Sequence, residues 1–180
     1  STARDCLGME KDIETSLQNL RTHYIDLYQV HNPTMAQLEQ VLAPGGALEA
    51  LLEAKEAGKI GHIGATAHGL EAFERLITEF EDKIETVMFP YNIVETQGEA
   101  LMRRCSEQNV GFIVMKPLAG GNLDDWNLAL KFVAASDCID IMIPGMGSVE
   151  EVDRNAAAAE EFGPLTEEEL AKCEAIRREL

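Results

Sequence analysis

The chain has 180 residues, of which 46% are apolar, so it is long and apolar enough for one folded domain with a sizeable core. Its formal net charge of −17 argues against binding nucleic acid or an anionic membrane, because both need a cationic surface. No apolar run approaches the length of a membrane span, and no signal peptide opens the sequence.

Helical and strand-like apolar patterns alternate along the chain. In chain order, they predict a loop over 1–8, a helix over 9–20, a strand over 24–31, helices over 35–42 and 47–57, a strand over 60–65 and a helix over 70–80. They then predict a strand over 85–89, a helix over 98–108, a strand over 111–115, a helix over 124–135, a strand over 138–143 and helices over 148–162 and 166–180.

Several helix ends carry residues with a capping preference. Gly58 suits the left-handed position that follows a helix. Ser148 is placed to cap the helix that follows it, with Glu151 at the capping-box position. Thr166 and Glu169 repeat this arrangement at the last helix.

The run YIDLYQVHNP at residues 24–33 predicts a strand buried on both faces, and Pro33 ends it near His31. On this prediction Asp26 is buried and needs a structural hydrogen bond. A histidine at the carboxyl end of a buried parallel strand lies where α/β barrels place their chemistry. The plain alternative is a core histidine with one backbone partner.

The strand–helix unit occurs five times, which predicts parallel strands with right-handed crossovers. An open doubly wound sheet and part of an eightfold barrel both fit this pattern. No strand is followed by a GxGxxG fingerprint, which disfavours the dinucleotide-binding open sheet. Five units cannot close a barrel of eight, so an incomplete barrel would expose strand edges, and we expect the chain to be a fragment.

Four dispersed cysteines, without a CxxC pair, predict reduced thiols in a cytoplasmic protein. They predict neither a metal site nor a disulfide framework. The cysteines are Cys6, Cys105, Cys138 and Cys173.

Four blocks give the chain a specific resemblance. They are DIETSLQNLRTHYIDLYQVHNP at 12–33, GKIGHIGATAH at 58–68, MKPLAGG at 115–121 and IPGMGSVEEVDRN at 143–155. Over nearly its whole length the chain resembles the aldo-keto reductases, NAD(P)-dependent carbonyl reductases with a (β/α)8 TIM barrel. MKPLAGG is most similar to the branch that often carries a C-terminal iron–sulfur domain. No cluster is expected in this chain, because Cys173 alone cannot hold one.

The resemblance implies that residues 1–180 form a single partial barrel domain. They would supply strands four to eight with their helices, and the three N-terminal βα units would be absent. Of the family's catalytic residues only His31 carries over, near the carbonyl oxygen of the substrate. The aspartate, tyrosine and lysine that act with it would precede Ser1, so this chain alone is expected to be inactive.

The resemblance also implies cofactor-binding positions. At the nicotinamide end, Thr66 replaces a serine that binds the carboxamide, Met88 replaces a glutamine and Met115 replaces a stacking aromatic residue. Lys116, Leu118 and Gly120 fall where the family wraps the pyrophosphate, and Gly145 and Gly147 allow close approach of the backbone to the adenosine phosphates. Asn155 matches an asparagine that contacts adenine, and no metal ligands are implied.

Gly145 and Glu151 occupy the positions that hold lysine and arginine in NADPH-preferring members. A glutamate repels the 2′-phosphate, so either cofactor is possible and use of NADH is favoured. Plain alternatives remain for the other positions: Thr66 capping the next helix, Met88 and Met115 in the core, and the glycines in turns.

The leading hypothesis is therefore reversible hydride transfer between NADPH or NADH and an aldehyde, ketone or alcohol, with a small-molecule carbonyl substrate. The first alternative is a non-catalytic nucleotide-binding or regulatory subunit with the same fold. The second is an unrelated barrel lyase or isomerase. The sequence predicts no oligomeric state.

Overall fold

A computed structural model of the chain describes residues 1–79 and 82–179. The chain forms two compact units. The first comprises Ser1–Met88 and Glu107–Gly111, and the second comprises Phe89–Ser106 and Phe112–Leu180. The predicted last residues of two helices, Phe80 and Leu180, lie outside the described residues. None of the helices in the described ranges is long and apolar enough to span a membrane.

The first unit alternates helices with parallel strands. Its elements are α1 (Cys6–Leu20), β1 (Ile25–Val30), α2 (Met35–Leu42), α3 (Ala47–Glu56), β2 (Ile60–Thr66), α4 (Leu70–Glu79) and β3 (Thr86–Pro90), whose last two residues belong to the second unit. β1 pairs with β2 and β2 with β3, both in parallel. The registers place Val30 beside Ala65 and Thr66 beside Met88, so the carboxyl ends of these strands are neighbours.

Helix α1 begins three residues before its predicted start. The Asp5 side chain accepts a hydrogen bond from the Gly8 backbone N–H, which satisfies one of the free donors in the first turn. The prediction of a loop over 1–8 was therefore wrong for its last three residues. Leu7, which carries no helical signal of its own, is 77% exposed.

Strand β1 is not buried on both faces as predicted. Asp26 is exposed, and Leu27 and Gln29 are only half-buried. Ser1 lies beside this strand: its nitrogen donates to the Gln29 carbonyl at 2.7 Å, and the His31 N–H donates to the Ser1 carbonyl at 2.7 Å. The predicted buried hydrogen bond of Asp26 is not needed, because water reaches its carboxylate.

The second unit contains the remaining elements. They are α5 (Glu99–Glu107, whose last residue belongs to the first unit), β4 (Gly111–Met115, whose first residue does), the 3₁₀ turn Ala119–Gly121, α6 (Trp126–Ala134), β5 (Ile141–Ile143), α7 (Val149–Glu160) and α8 (Glu167–Glu179). β4 and β5 are parallel, with Met115 beside Ile143. An apolar cluster joins α6 to α8 through Leu128, Ala129 and Cys173.

Strand β5 is half as long as predicted. Asp140 precedes it, and its carboxylate accepts a hydrogen bond from the Phe112 N–H at 2.8 Å. A side chain therefore takes the place that a backbone carbonyl would hold in a longer ladder. Ile141 and Ile143 are 53% and 44% exposed.

The predicted helix ends are present with one change. Gly58 has a φ of +70°, the left-handed conformation expected of it. Thr166 and Glu169 form a reciprocal capping box at α8. At α7 the Ser148 hydroxyl accepts from the Glu151 N–H, but the Glu151 carboxylate accepts from the Gly147 N–H, one residue earlier than predicted.

Candidate functional site

Three predicted site residues of the first unit line one cavity. His31 follows β1, Thr66 ends β2 and Met88 lies beside Thr66 in β3. They border an open cavity of about 450 Å³, together with Tyr28 and Gln29 of β1. The parallel registers bring them together because they align the carboxyl ends of all three strands.

The backbone around His31 is held on both sides. Its N–H donates to the Ser1 carbonyl, and its own carbonyl accepts from Arg4 Nη2 at 2.8 Å. The residue itself is exposed, so the imidazole is open to a ligand in the cavity. His31 is therefore not the core histidine that the plain alternative required.

The Thr66 hydroxyl fixes the turn that follows His31. Its oxygen accepts from the Asn32 N–H at 2.7 Å, and Asn32 has a φ of +40°. The alternative that Thr66 caps the next helix is wrong, because this bond crosses to the end of β1. A hydroxyl that accepts one hydrogen bond keeps its own proton to donate, so Thr66 can still bind a carbonyl.

The second unit contains a pocket of about 430 Å³ that we call the loop pocket. Predicted cofactor residues supply more than half of its lining, namely Lys116, Leu118, Gly120, Gly145 and Glu151. Pro117, Gly121 and Arg154 complete it. The loop after β4, the loop after β5 and helix α7 thus meet at one place.

The loop after β4 has an unusual backbone. Lys116 and Ala119 have φ values of +54° and +49°, and Gly120 and Gly121 have +71° and +93°. Turns that combine right- and left-handed residues can direct successive N–H groups to one side and form a site for anions. The fully buried Asn92 holds the start of this loop, since its Nδ2 donates to the Lys116 carbonyl at 3.0 Å.

Of the charged side chains that line the loop pocket, the carboxylate has a hydrogen-bond partner and the two cations have no ion pair with any described residue. The Glu151 carboxylate accepts from the Gly147 N–H at 2.7 Å. The guanidinium of Arg154 lies over the Trp126 ring, 4.3 Å from its centroid. Within the described residues neither Lys116 nor Arg154 forms an ion pair, so both cations are available to an anion.

Asn155, one residue further along α7, is 8% exposed. Neither its Nδ2 nor its Oδ1 has a hydrogen-bond partner among the described residues. It borders a second, apolar pocket of about 270 Å³, which we call the Asn155 pocket, with Leu130, Met142 and Phe162. A buried amide without partners is costly, and either an ordered water or a ligand can complete its hydrogen bonding.

Two predicted cofactor residues line neither pocket of the second unit. Met115 is half-buried at the end of β4, and its carbonyl accepts from the Tyr91 N–H at 3.3 Å. Gly147 is exposed, and its N–H donates a hydrogen bond to the Glu151 carboxylate. For Gly147 the plain alternative, a glycine in a turn, describes the observed contact.

Sequence reasoning missed Asn92 and Trp126. The available signal for Asn92 was an asparagine just after a strand that ends in proline, a position where its amide can bond the local backbone. Here its Oδ1 accepts from Val94 and Glu95 N–H groups. Trp126 is the only tryptophan of the chain, but nothing in its spacing indicates a partner on α7.

All four cysteines are free thiols. Cys105 and Cys173 are buried, whereas Cys6 and Cys138 are half-buried. Cys6 lies near two exposed glutamates, with possible ligand atoms within 4.8 Å of one another. Exposed acidic groups of this kind are common without a metal ion, and this one is separate from the pockets described above.

Parallel strands alternating with helices, and polar residues at their carboxyl ends, define an α/β protein of the kind that binds ligands at that edge. A model of the aldo/keto reductase family matches residues 5–129. The chain therefore belongs to the aldo/keto reductase family.

Among known proteins, L-galactose dehydrogenase of Arabidopsis thaliana is 26% identical over 204 residues, which cover 93% of this chain and 63% of that protein. Aldo-keto reductase YhdN of Bacillus subtilis is 33% identical over 90 residues, covering 49% of this chain and 25% of its own length. The chain thus spans less than two thirds of the length of these relatives.

Solved structures agree with the family. Aldo-keto reductase AKR11C1 from Bacillus halodurans, in its holo form, superposes with a TM-score of 0.76 at 25% identity, covering 93% of this chain and 63% of that one. An aldo/keto reductase from Klebsiella pneumoniae in complex with NADP and acetate gives 0.75 at 25% identity, covering 94% and 64%. These likenesses and the parallel strands agree with part of a TIM barrel.

Proposed function

We propose that this protein is an NAD(P)-dependent oxidoreductase that transfers hydride reversibly between a nicotinamide cofactor and a small aldehyde, ketone or alcohol. The observation that supports this most strongly lies on α7, where Arg154 lines the loop pocket with Lys116 and the next residue, Asn155, brings an unpartnered amide to the Asn155 pocket. A ligand with both an anionic group and a planar polar ring would use both features. A dinucleotide has that chemistry.

The residues of the second unit fit such a cofactor. The loop from Lys116 to Gly121 would hold the pyrophosphate through the Lys116 ammonium and the N–H groups of Leu118 and Gly120. The N–H groups of Ala119 and Gly121 already donate to the carbonyls of Lys116 and Leu118. Gly145 and Gly147 would let the backbone approach the adenosine phosphates, and the Asn155 amide would donate to and accept from adenine. Leu118 would supply an apolar contact within the loop pocket.

At the nicotinamide end, Thr66 would bind the carboxamide through its hydroxyl, and Met88 and Met115 would offer apolar surface. When bound, the nicotinamide supplies or accepts the hydride. His31 would donate a hydrogen bond to the carbonyl oxygen of the substrate, where negative charge develops as the hydride arrives. Its exposed position beside the cavity leaves room for that oxygen.

We infer that His31 acts with an aspartate, a tyrosine and a lysine from the barrel units that precede residue 1 in the family. On this hypothesis residues 1–180 are one partial barrel domain containing strands four to eight, and they are inactive by themselves. Because Gly145 and Glu151 replace the cations of NADPH-preferring members, we propose that NADH is used as well as or better than NADPH.

Three further properties belong to the same proposal. From the loop MKPLAGG we infer that the chain belongs to the branch that often carries an iron–sulfur domain, and from its dispersed cysteines that residues 1–180 themselves bind no cluster. The free thiols and acidic charge fit a cytoplasmic protein without nucleic-acid or membrane partners. The substrate is a small carbonyl compound.

The test is His31→Ala in the active protein, with His23→Ala as the matched control. We expect His31→Ala to lower kcat by about 10²–10³ and to leave the Kd of the cofactor unchanged, because the lost contact is to the reacting oxygen. His23 is exposed and borders neither the His31 cavity nor the loop pocket, so its replacement should change neither quantity. Full activity of His31→Ala would contradict the assignment.

The same measurements separate an enzyme from a non-catalytic subunit. Cofactor binding without turnover of any aldehyde, ketone or alcohol would favour the binding subunit. Turnover that depends on His31 would favour the reductase.

A further inference from the structure

Arg154 and Trp126 form a side-chain pair at the edge of the loop pocket. The guanidinium carbon lies 4.3 Å from the centroid of the indole ring, within the range of a cation–π contact. The two residues are 28 positions apart, on α7 and at the start of α6. The indole thereby restricts a long side chain that would otherwise sample many rotamers.

The charge of Arg154 is not neutralised by a carboxylate. Within the described residues it forms no ion pair, although Glu151 lies three positions earlier on the same helix and borders the same pocket. The Glu151 carboxylate instead accepts from the Gly147 N–H at 2.7 Å. Stacking on an aromatic face leaves the edge of a guanidinium free to donate two parallel hydrogen bonds.

A second observation indicates that a ligand approaches this part of α7. The next residue, Asn155, is buried with both polar atoms unpartnered. An oriented cation at the loop pocket and an unpartnered amide at the Asn155 pocket thus occupy consecutive positions of α7. The unpartnered amide does not stabilise the unliganded chain.

We propose that Arg154 is the specificity-determining residue that binds the 2′-phosphate of NADPH, and that Trp126 is its positioning residue. This inference rests on the proposed cofactor site. Arg154 would replace the cations missing at Gly145 and Glu151. Its attraction for the phosphate opposes the repulsion by Glu151, so NADPH remains usable in a site that otherwise favours NADH.

The experiment compares two nucleotide fragments by calorimetric titration of the protein. One fragment is 2′,5′-ADP, which carries the 2′-phosphate, and the other is 5′-AMP, which lacks it. In Arg154→Gln we expect the Kd for 2′,5′-ADP to rise about ten- to a hundredfold, the range for losing a charge-assisted hydrogen bond, and the Kd for 5′-AMP to stay unchanged. NADPH and NADH should show the same contrast.

Further variants separate the two roles. Arg154→Lys keeps the charge but loses the planar fork, so the Kd for 2′,5′-ADP should lie between those of the wild type and Arg154→Gln. Trp126→Leu should weaken 2′,5′-ADP binding and leave 5′-AMP unaffected, whereas Trp126→Phe keeps an aromatic face and should restore most of the affinity. Arg178→Gln, an exposed arginine paired with Glu174 on α8, is the control and should change neither Kd.

Trp126 also provides a readout that is independent of activity. As the only tryptophan of the chain, it should change its fluorescence emission when 2′,5′-ADP engages Arg154, and change it less with 5′-AMP. All variants should unfold at the wild-type urea midpoint, apart from a modest shift for Trp126→Leu. A variant that fails this check is replaced by its conservative partner, Arg154→Lys or Trp126→Phe.

The outcomes are distinct. Selective loss of 2′,5′-ADP binding in Arg154→Gln supports the inference. An equal loss for both fragments, or no loss, overturns it and leaves the cofactor site in place. If the wild-type chain binds neither fragment nor either dinucleotide, the proposed cofactor site is wrong and the assignment of Arg154 fails with it.

Discussion

Replacing Asn155 with leucine should stabilise the unliganded protein while weakening cofactor binding. Asn155 is 8% exposed, and both polar atoms of its side chain lack partners among the described residues. An unsatisfied buried polar group costs about 1–3 kcal/mol. Leucine has the same branched arrangement of side-chain heavy atoms, and the adjoining pocket of about 270 Å³ has room for its larger methyl groups. The apolar neighbours Leu130, Met142 and Phe162 offer the new side chain a matching surface.

The free energy of unfolding in water should therefore rise by about 2 kcal/mol, as measured by urea denaturation with an unchanged slope m. Asn127→Leu is the matched control, because Asn127 is exposed on α6 and its replacement relieves no buried group. The Kd for NADH and NADPH should rise for Asn155→Leu only. An unchanged or lower stability of Asn155→Leu would refute the reasoning, since it would mean that the amide is satisfied in the folded chain.

Two further changes test the charges of the protein. In the complete, active protein, Glu151→Arg should raise the ratio of kcat/KM for NADPH to that for NADH about tenfold or more, by replacing a repulsive charge with an attractive one. A wild type that already favours NADPH by about a hundredfold, roughly 2.7 kcal/mol, would contradict the proposed NADH preference. Burial acts to raise the pKa of Glu85, but hydrogen bonds from Lys55 and His62 lower it to about 2. A carboxylate with a lowered folded-state pKa stabilises the fold above its unfolded pKa, near 4.5, and loses that contribution as the pH falls toward 2. Because these groups are partly exposed, Glu85→Gln should remove only about 1 kcal/mol of stability at neutral pH and flatten the acid limb of the stability curve; an unchanged acid limb would show that the network contributes nothing.

Local sequence signals were sufficient where neighbours along the chain decide the structure. The helix Met35–Leu42 and the strand Gly111–Met115 have the predicted bounds. Thr34 and Gln37 form a capping box at the start of the helix. The strand is a short apolar run with turn-forming residues close to both of its ends. Such signals act over three or four residues, so a single sequence contains them in full.

Predictions failed where a contact distant in sequence decides the structure. Burial of Asp26 was inferred from the apolar composition of its strand, but burial depends on which elements cover each face of a strand. The length of β5 depends on the Asp140 carboxylate, which bonds a backbone N–H 28 residues away. The spacing of apolar residues contains neither piece of information.

The candidate site shows the same division. From the family resemblance, Lys116, Gly120 and Glu151 were predicted to bind the cofactor. The structure places these three residues around one pocket. The pairing of Arg154 with Trp126 joins two helices, and no periodicity predicts it. A family pattern therefore indicates where the ligand binds. Where this chain lacks one of the family's usual ligand-binding residues, the side chain that takes over the contact is recognised only in the folded structure.

Several features of the second unit oppose the stability of the unliganded chain. Lys116 and Ala119 adopt left-handed backbone conformations that cost about 1–2 kcal/mol each in residues other than glycine. Asn155 leaves two buried polar atoms unsatisfied within the described residues. Lys116 borders the loop pocket and Asn155 borders the Asn155 pocket. Sequences that fold well violate local rules mainly at functional sites, because a ligand can offset there what the bare chain loses. The left-handed residues of the loop and the unpartnered Asn155 amide thus agree with the ligand site that the family resemblance implies at this loop and helix.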